Sequence, residues 1–230
     1  LAFKSTDINS LIRESIQLFS RQHENISIQL EKENLGLIEV DRNKIQQVLN
    51  NLLLNAIDAC EKVESPKIRF ETKTKKINLR NYCEVTIKDN GHGFDESIIK
   101  NAFEPYQTSK KNGKGLGLAI VKSIIDQHKG EITLSNNYKI TKKNGDDLLS
   151  FDLATVFRDE EDLDLPKTST IGNKQSNIFG NFNYIPNKFF NFEYNFSYDN
   201  SLDESNYDMY KTEFTVNKLI TSFEYLEENI

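Results

Sequence analysis

The chain has 230 residues, of which 28% are charged, and carries a formal net charge of -6 at pH 7. No run of about 18 apolar residues occurs, which predicts no membrane-spanning helix, and the acidic balance gives no electrostatic basis for binding nucleic acid. The two cysteines lack metal-ligand spacing and are typical of reduced cytosolic thiols. Because the chain opens on Leu-Ala-Phe-Lys, without an initiating Met or a signal-peptide pattern, we expect a fragment of a longer protein.

Up to residue 158 the pattern alternates between helices and strands. Thr6 or Asp7 caps a first helix that ends near Gln22, and Asp41 caps a long helix through Cys60. The other predicted elements are short strands at 26–30 and 36–40 with a turn between them, strands at 67–77 and 82–88, a helix at 116–128, and a strand pair around Ile132 and Phe151. This order predicts an α/β fold with a mostly antiparallel sheet covered by helices on one face.

The long helix has two distinct faces. Its apolar stripe is predicted to contain Ile45, Val48, Leu49, Leu52, Ala56 and Ala59. Asn51 and Asn55 lie one turn apart on another face. Such residues are often solvated surface amides, but Asn is a poor helix former, and two in mid-helix favour a further role. An amide oxygen is a suitable ligand for Mg2+, which bridges to nucleotide phosphates.

Two glycine-rich segments provide further candidate sites. Asp89, Gly91 and Gly93 follow the strand at 82–88. The glycines there indicate either an ordinary tight turn or a close approach of the backbone to a ligand. The second segment, 113–118, directly precedes a helix, so its backbone N-H groups could bind phosphate with the help of the helix dipole. Neither the P-loop spacing nor the dinucleotide fingerprint occurs.

Four segments, in this order, resemble motifs of the ATP-binding catalytic domain of sensor histidine kinases. Residues 47–56 resemble the N box, 89–93 the first glycine box, 103–110 the F box, and 113–118 the second glycine box. The resemblance covers residues 3 to 157. It implies a two-layer α/β sandwich of the Bergerat type with a mixed, mostly antiparallel sheet, and an ATP site with a lid at about 96–114.

The resemblance also implies individual roles. Asn55 would ligate Mg2+, Asn51 would contact the phosphates, and Asp89 would bind the adenine amine. Lys110, in a Thr-Ser-Lys run similar to the Thr-Thr-Lys of nitrogen-regulation kinases, would reach the γ-phosphate, so Asn51 and Lys110 are the implied catalytic residues. The implied nucleotide-binding set is Asn51, Asn55, Asp89, Gly91, Gly93, Thr108, Ser109, Lys110, Gly113, Gly115, Leu116, Gly117 and Leu118.

Departures from related families narrow the expected activity. Gyrase-like and chaperone-like ATPases place a general-base Glu where this chain has Asn51, so phosphoryl transfer to a nucleophilic imidazole is favoured. The three histidines lie outside any phospho-accepting helix, and His128, at a predicted helix C-terminus, is interpreted as a favourable partner of the helix dipole. We therefore expect a histidine-bearing dimerisation domain, upstream or in trans, and a response regulator as partners. The alternative is a non-catalytic ATP-binding regulatory module; membrane anchoring of the parent protein stays open.

Composition changes after residue 158. We predict a domain at 1–158, an acidic and polar linker at 159–176, and a β-rich tail at 177–230. Of the 24 aromatic residues (15 Phe and 9 Tyr), 14 lie between Phe179 and Tyr225, and aromatic and polar residues alternate over 190–198. The tail loosely resembles strands of the lipopolysaccharide-assembly outer-membrane barrel protein. Two interpretations of the tail stay open. It is either a fused barrel fragment, which would imply the outer membrane, or a β-meander that packs on a cytoplasmic kinase domain.

Overall fold

A computed structural model describes residues 1–77, 80–94, 101–106, 115–158, 170, 173–199, 204–216 and 219–228, and for residues 77 and 80 it describes the backbone alone. The chain divides into two compact units, unit 1 (Leu1–His128) and unit 2 (Lys129–Ile230). The predicted domain boundary at 158 therefore falls inside unit 2. Among the described residues, no helix is both long enough and apolar enough to cross a membrane.

Unit 1 alternates helices and strands as the sequence predicts. Both predicted N-caps are confirmed: the side chain of Asp7 accepts a hydrogen bond from Ser10 N, and that of Asp41 accepts one from Lys44 N. The elements are β1 (Phe3–Thr6), α1 (Ile8–Ser20), β2 (Ser27–Lys32), β3 (Ile38–Asp41), α2 (Arg42–Ala59), β4 (Lys67–Ile77), β5 (Arg80–Asp89) and α3 (Gly117–Gln127). The predicted elements are confirmed to within two residues at most ends, whereas β1 was not predicted.

Strand pairing in unit 1 is set by the helices. Strands β2 and β3 follow each other along the chain, but they do not pair together. Instead β2 pairs with β4 in parallel, because α2 provides the crossover that parallel neighbours need, and β3 pairs antiparallel with β1. Strand β5 adds to β4 in the antiparallel sense. The result is a mixed three-stranded sheet, β2-β4-β5, and a separate two-stranded ribbon.

The core of unit 1 lies between α1, α2 and β4. It contains Leu11, Leu53 and Phe70, all with at most 1% of their surface exposed. The predicted apolar stripe of α2 is partly wrong: Leu53 and Ile57 are buried where Leu52 and Ala59 were expected. Because α2 packs against α1 on one side and α3 on the other, its buried face is turned further away from the two candidate asparagines.

Unit 2 is a single antiparallel sheet. Its strands are β6 (Ile132–Thr141), β7 (Asp147–Phe157), β8 (Ile178–Asn187), β9 (Phe190–Tyr198), β10 (Ser205–Val216) and β11 (Leu219–Glu228), in the order β11-β10-β9-β8-β7-β6. The predicted hairpin between β6 and β7 is confirmed, with Gly145 at φ +90° in its turn. The tail therefore extends the β6–β7 hairpin. The strands that the sequence predicts for one kinase sheet are divided among three sheets, with β2, β4 and β5 in one, β3 in the ribbon, and β6 and β7 in unit 2.

The alternating pattern of the tail gives unit 2 two chemically different faces. Cross-strand pairs place Phe182 opposite Tyr194 and Tyr194 opposite Tyr210, with the rings of the last two stacked at a centroid distance of 4.5 Å. On the opposite face, Asn181 Nδ2 donates to Asn195 Oδ1 at 2.6 Å. The aromatic pairs on one face and the Asn181–Asn195 hydrogen bond on the other hold these strands in register.

Candidate functional site

Helix α2 brings Asn51 and Asn55 to a face that is only half-buried. The Nδ2 atom of Asn51 is nevertheless inaccessible to solvent and has no hydrogen-bond partner among the described residues. A buried amide donor without an acceptor costs free energy, commonly about 1–3 kcal/mol. This orphaned donor is therefore a position where an acceptor from a ligand would be stabilising.

The loop after β5 is fixed to the rest of unit 1 through Asn90. Its Oδ1 accepts a hydrogen bond from Lys67 N at 2.8 Å, and its Nδ2 donates to Ser65 O at 3.0 Å. The next residue, Gly91, lies so close to the end of α2 that a Cβ there would stand 2.6 Å from backbone atoms of Ala59. Gly91 therefore has a packing reason to be glycine, independent of any ligand contact.

Asp89 occupies the last position of β5 beside this loop. Its Oδ1 accepts a hydrogen bond from Gly91 N at 2.9 Å, which leaves other acceptor positions on the carboxyl group. Burial of the carboxyl raises its pKa, while the Gly91 hydrogen bond and nearby His92 oppose that rise. The residue as a whole is exposed, so the carboxyl group is held in place by its loop yet remains accessible.

The start of α3 forms the third part of the site. Its N-cap residue, Leu116, makes no side-chain capping bond, and the first turn contains no acidic residue. The first turn therefore presents backbone N-H groups without a capping side chain, which is a favourable environment for an anion. A Cβ on Gly117 would lie 4.0 Å from Asn55 Nδ2, so this helix start is adjacent to the candidate metal ligand on α2.

The segment between the F box and α3 is tied at its described ends. Tyr106 N donates to Gly115 O at 2.9 Å, and both residues have positive φ angles, 69° and 62°. Gly93 also needs its positive φ of 73°. Of the implied site residues, Thr108, Ser109, Lys110 and Gly113 lie outside the described residues, as does most of the expected lid, so their roles stay predictions.

His128 plays a structural part that the sequence did not indicate. Its Nε2 accepts a hydrogen bond from Asp41 N at 3.0 Å, so the ring proton is on Nδ1, which donates to Ile124 O at 2.7 Å. The contact with Ile124 O fits the interpretation of His128 as a favourable partner at a helix C-terminus, whereas the contact with Asp41 was not predicted. The ring links the C-terminal end of α3 to the N-terminal end of α2.

The region that contains these three parts has clear relatives. Residues 40–153 match the family described as histidine kinase-, DNA gyrase B- and HSP90-like ATPase. The solved catalytic domain of the histidine kinase ThkA is similar at 32% identity and a TM-score of 0.52, covering 60% of this chain and 90% of that domain. The chain belongs to the histidine kinase-like ATPase family. Membership identifies the matched region as an ATP-binding domain.

Curated relatives of this ATPase domain are sensor kinases. The sensor histidine kinase ZraS of Salmonella typhimurium is 34% identical over 140 residues, which is 59% of this chain and 29% of ZraS. A sensor histidine kinase of Rickettsia conorii described as NtrY-like is 40% identical over 96 residues, 42% of this chain and 15% of that protein. The chain thus spans less than a third of the length of either relative.

Proposed function

We propose that this histidine kinase-like domain transfers the γ-phosphoryl group of ATP to a histidine of a dimerisation domain in a two-component system. The observation that carries the proposal is the proximity of Gly117, at the start of α3, to Asn55 on α2. It brings an anion-binding helix end next to an oxygen ligand suited to Mg2+. The alternative of a non-catalytic ATP-binding module is not favoured, because the relatives are sensor kinases.

The phosphate end of the nucleotide would be held by backbone and amide donors. The uncapped first turn of α3, which begins at Gly117, offers N-H groups and the positive end of the helix dipole, and Gly115 and Leu116 directly precede it. The buried Nδ2 of Asn51 would gain its missing acceptor from a phosphate oxygen. Lys110, with Thr108, Ser109 and Gly113, is proposed to act at the γ-phosphate from the lid.

Asn55 would hold Mg2+ through its amide oxygen. This assignment fits the donor chemistry, since Mg2+ prefers oxygen ligands and usually binds through one or two protein groups together with substrate phosphates. When bound, the metal ion neutralises negative charge on the phosphates.

Asp89 would select the base of the nucleotide. A carboxylate fixed by the loop after β5 can accept a hydrogen bond from the exocyclic amine of adenine, which guanine does not carry at the same position. Gly93 would allow the backbone to pass close to the base, whereas Gly91 acts through its packing on α2.

The side chains of this site favour histidine as the phosphoryl acceptor. Asn51 cannot take up a proton, so it cannot activate water or a hydroxyl group, and the acceptor must already be nucleophilic. His128 has both ring nitrogens in hydrogen bonds within unit 1. We therefore propose a histidine on a separate or upstream dimerisation domain as the acceptor and a response regulator as the onward partner. We also propose that the domain works in the cytoplasm, where ATP is available.

Nucleotide titrations with and without Mg2+ test the assigned site. We expect Asn55→Ala to bind ATP with the same affinity in both conditions, whereas the unmodified chain binds at least about tenfold more tightly with Mg2+. Asp89→Asn should lower the preference for ATP over GTP. Asn43→Ala, an exposed change on the same helix, is the matched control. Full Mg2+ dependence in Asn55→Ala would refute the metal assignment, and an unchanged ATP to GTP ratio would refute the base assignment.

A transfer assay tests the reaction itself. The chain is mixed with γ-labelled ATP and an isolated histidine-bearing dimerisation domain from a related sensor kinase. We expect label on the dimerisation domain and none on the chain. Label on the chain that disappears when one of its own histidines is replaced would contradict the proposal, as would ATP binding without any transfer to several such domains.

A further inference from the structure

Strand β11 forms one edge of the unit 2 sheet. It pairs with β10 along its whole described length without a register shift, and no described strand pairs with its other side. Every residue of β11 is exposed. The free side of a strand presents a row of unpaired backbone N-H and C=O groups, which can pair with another strand.

The exposed side chains of β11 are unusually apolar for a free edge. Large apolar residues project from both faces, with exposed fractions of 67% for Leu219, 65% for Ile220, 63% for Phe223, 59% for Tyr225 and 49% for Leu226. The opposite edge, β6, differs: it is interrupted by an irregularity at Ile140 and carries Lys139 in an ion pair with Asp147. Bulges and charged side chains protect edges from pairing. Strand β11 has no bulge and no lysine, and its charged residues are Glu224, Glu227 and Glu228.

We propose that β11 is a dimerisation edge, at which two copies of this chain pair antiparallel about a twofold axis through Phe223. In this arrangement Phe223 lies opposite Phe223 of the second copy, on the aromatic face. Leu226 lies opposite Ile220, so the exposed aliphatic side chains of the other face cover each other. The two sheets become one sheet with the same chemical face on the same side, since a twofold axis perpendicular to a sheet preserves its faces.

The positions of the glutamates select this register. With the axis at Phe223, Glu224 lies opposite Ser222 and Glu227 opposite Leu219, so no two carboxylates face each other across the interface. Moving the axis to Glu224 would set that carboxylate against its own copy. A parallel arrangement would bring the glutamates of the two strands beside one another. The antiparallel register over residues 219–227 is the long pairing that avoids both repulsions.

A matched pair of substitutions at Leu219 tests the proposal. Leu219 lies opposite Val216 within the chain and opposite Glu227 of the second copy in the dimer. Leu219→Glu and Leu219→Lys remove the same exposed apolar side chain and keep the same neighbour on β10. They differ in the sign of the charge that meets Glu227 across the interface, and the difference occurs twice in each dimer.

We expect the full 230-residue chain to be a concentration-dependent dimer in sedimentation velocity at tens of micromolar, because one strand pair is a small interface. Leu219→Glu should dissociate with a Kd roughly ten times that of Leu219→Lys. A chain that stays monomeric at all concentrations overturns the proposal. So does a dimer whose Kd is equal in the two variants, provided that both keep the far-ultraviolet circular dichroism of the unmodified chain.

Cross-linking identifies the register independently. Phe223→Cys should form a disulfide-linked dimer under mild oxidation, because the two new thiols meet on the twofold axis. Leu219→Cys alone should not, but a mixture of Leu219→Cys and Glu227→Cys should form the mixed dimer. The native thiols are distant from this strand in the chain, one buried and one half-buried. A dimer that forms without cross-linking at position 223 would overturn the assigned edge.

Discussion

The two units bury their side chains in different ways, although both contribute to the region matched by the ATPase family. In unit 1 the side chains with less than 2% exposure include Phe70 and Leu53, which lie between helices and sheet. In unit 2 the described side chains at that level are Thr155 and Ser176, both polar. Unit 1 thus derives its stability from an apolar core, whereas unit 2 relies on cross-strand pairs along one layer.

The largest predicted effect separates these two kinds of packing. Phe70→Ala removes a ring with 0% exposure from the core of unit 1 and should cost about 3–5 kcal/mol. Phe192→Ala removes a half-buried ring that pairs edge-on with Phe182 at 6.1 Å, and should cost about 1 kcal/mol. Urea unfolding followed by circular dichroism measures both values. Equal losses would show that unit 2 also has a deeply packed core.

Replacing one glycine in each unit tests how tightly the backbone is packed in unit 1 and in unit 2. Gly91→Ala would place a Cβ 2.6 Å from backbone atoms at the end of α2, which cannot move independently of the helix. We expect a loss of about 2–3 kcal/mol in unfolding free energy, with weaker ATP binding because Asp89 shifts with its loop.

The matched change in unit 2 is Gly180→Ala. There the added Cβ would meet the ring of Phe196, so a side chain would have to shift but no backbone atoms would. We expect a loss of about 1 kcal/mol in unfolding free energy and unchanged ATP affinity. A larger loss for Gly180→Ala than for Gly91→Ala would contradict the view that unit 1 is the more tightly packed.

The sequence predicted local structure well because local chemistry determines it. The caps at Asp7 and Asp41 and the alternation in β9 could be inferred from neighbours in the chain. Strand partners could not, because the pairing of β2 with β4 and of β7 with β8 depends on contacts far apart in sequence. The burial of Leu53 instead of Leu52 depends on helices on both sides of α2.

In the candidate site, too, local motifs could be predicted from the sequence and long-range contacts could not. Asn55, Asp89 and the start of α3 were chosen from motifs, and the structure brings Asn55 and the start of α3 together. The role of Asn90 and the contact of His128 with Asp41 were missed, because each anchors a segment through backbone groups that have no sequence signal. The packing constraint on Gly91 was hidden for the same reason, since it depends on the end of a helix more than 30 residues away.

Smaller effects should follow from charge near the site. The pKa of Asp89 is raised by burial from its usual 3.8, so the folded state binds a proton more tightly than the unfolded chain does. Unfolding free energy should therefore fall as pH rises from about 3.8 through the raised pKa, and Asp89→Asn should lack this fall. Acid titrations of stability by urea unfolding measure the difference.

Glu71 provides the control of opposite sign. The hydrogen bond from Lys88 Nζ at 2.9 Å lowers its pKa from 4.5, so its contribution is present above pH 4.5 and is lost as pH falls through the lowered value. Glu71→Gln should remove that loss at low pH. If the two variants changed the pH profile in the same direction, burial would not be the dominant influence on Asp89.

The smallest expected effect on ATP binding comes from removing the tail. A chain ending at Asp164 lacks β8 to β11, so β7 loses its partner on one side and unit 2 should lose most of its stability. The described nucleotide-site residues, from Asn51 to Leu118, all lie in unit 1. ATP affinity should therefore change less than about twofold. Unit 1 should still unfold cooperatively, and Phe70→Ala should still lower its unfolding free energy. A large loss of ATP affinity would mean that the tail supports the site, and that the two modes of packing are functionally linked.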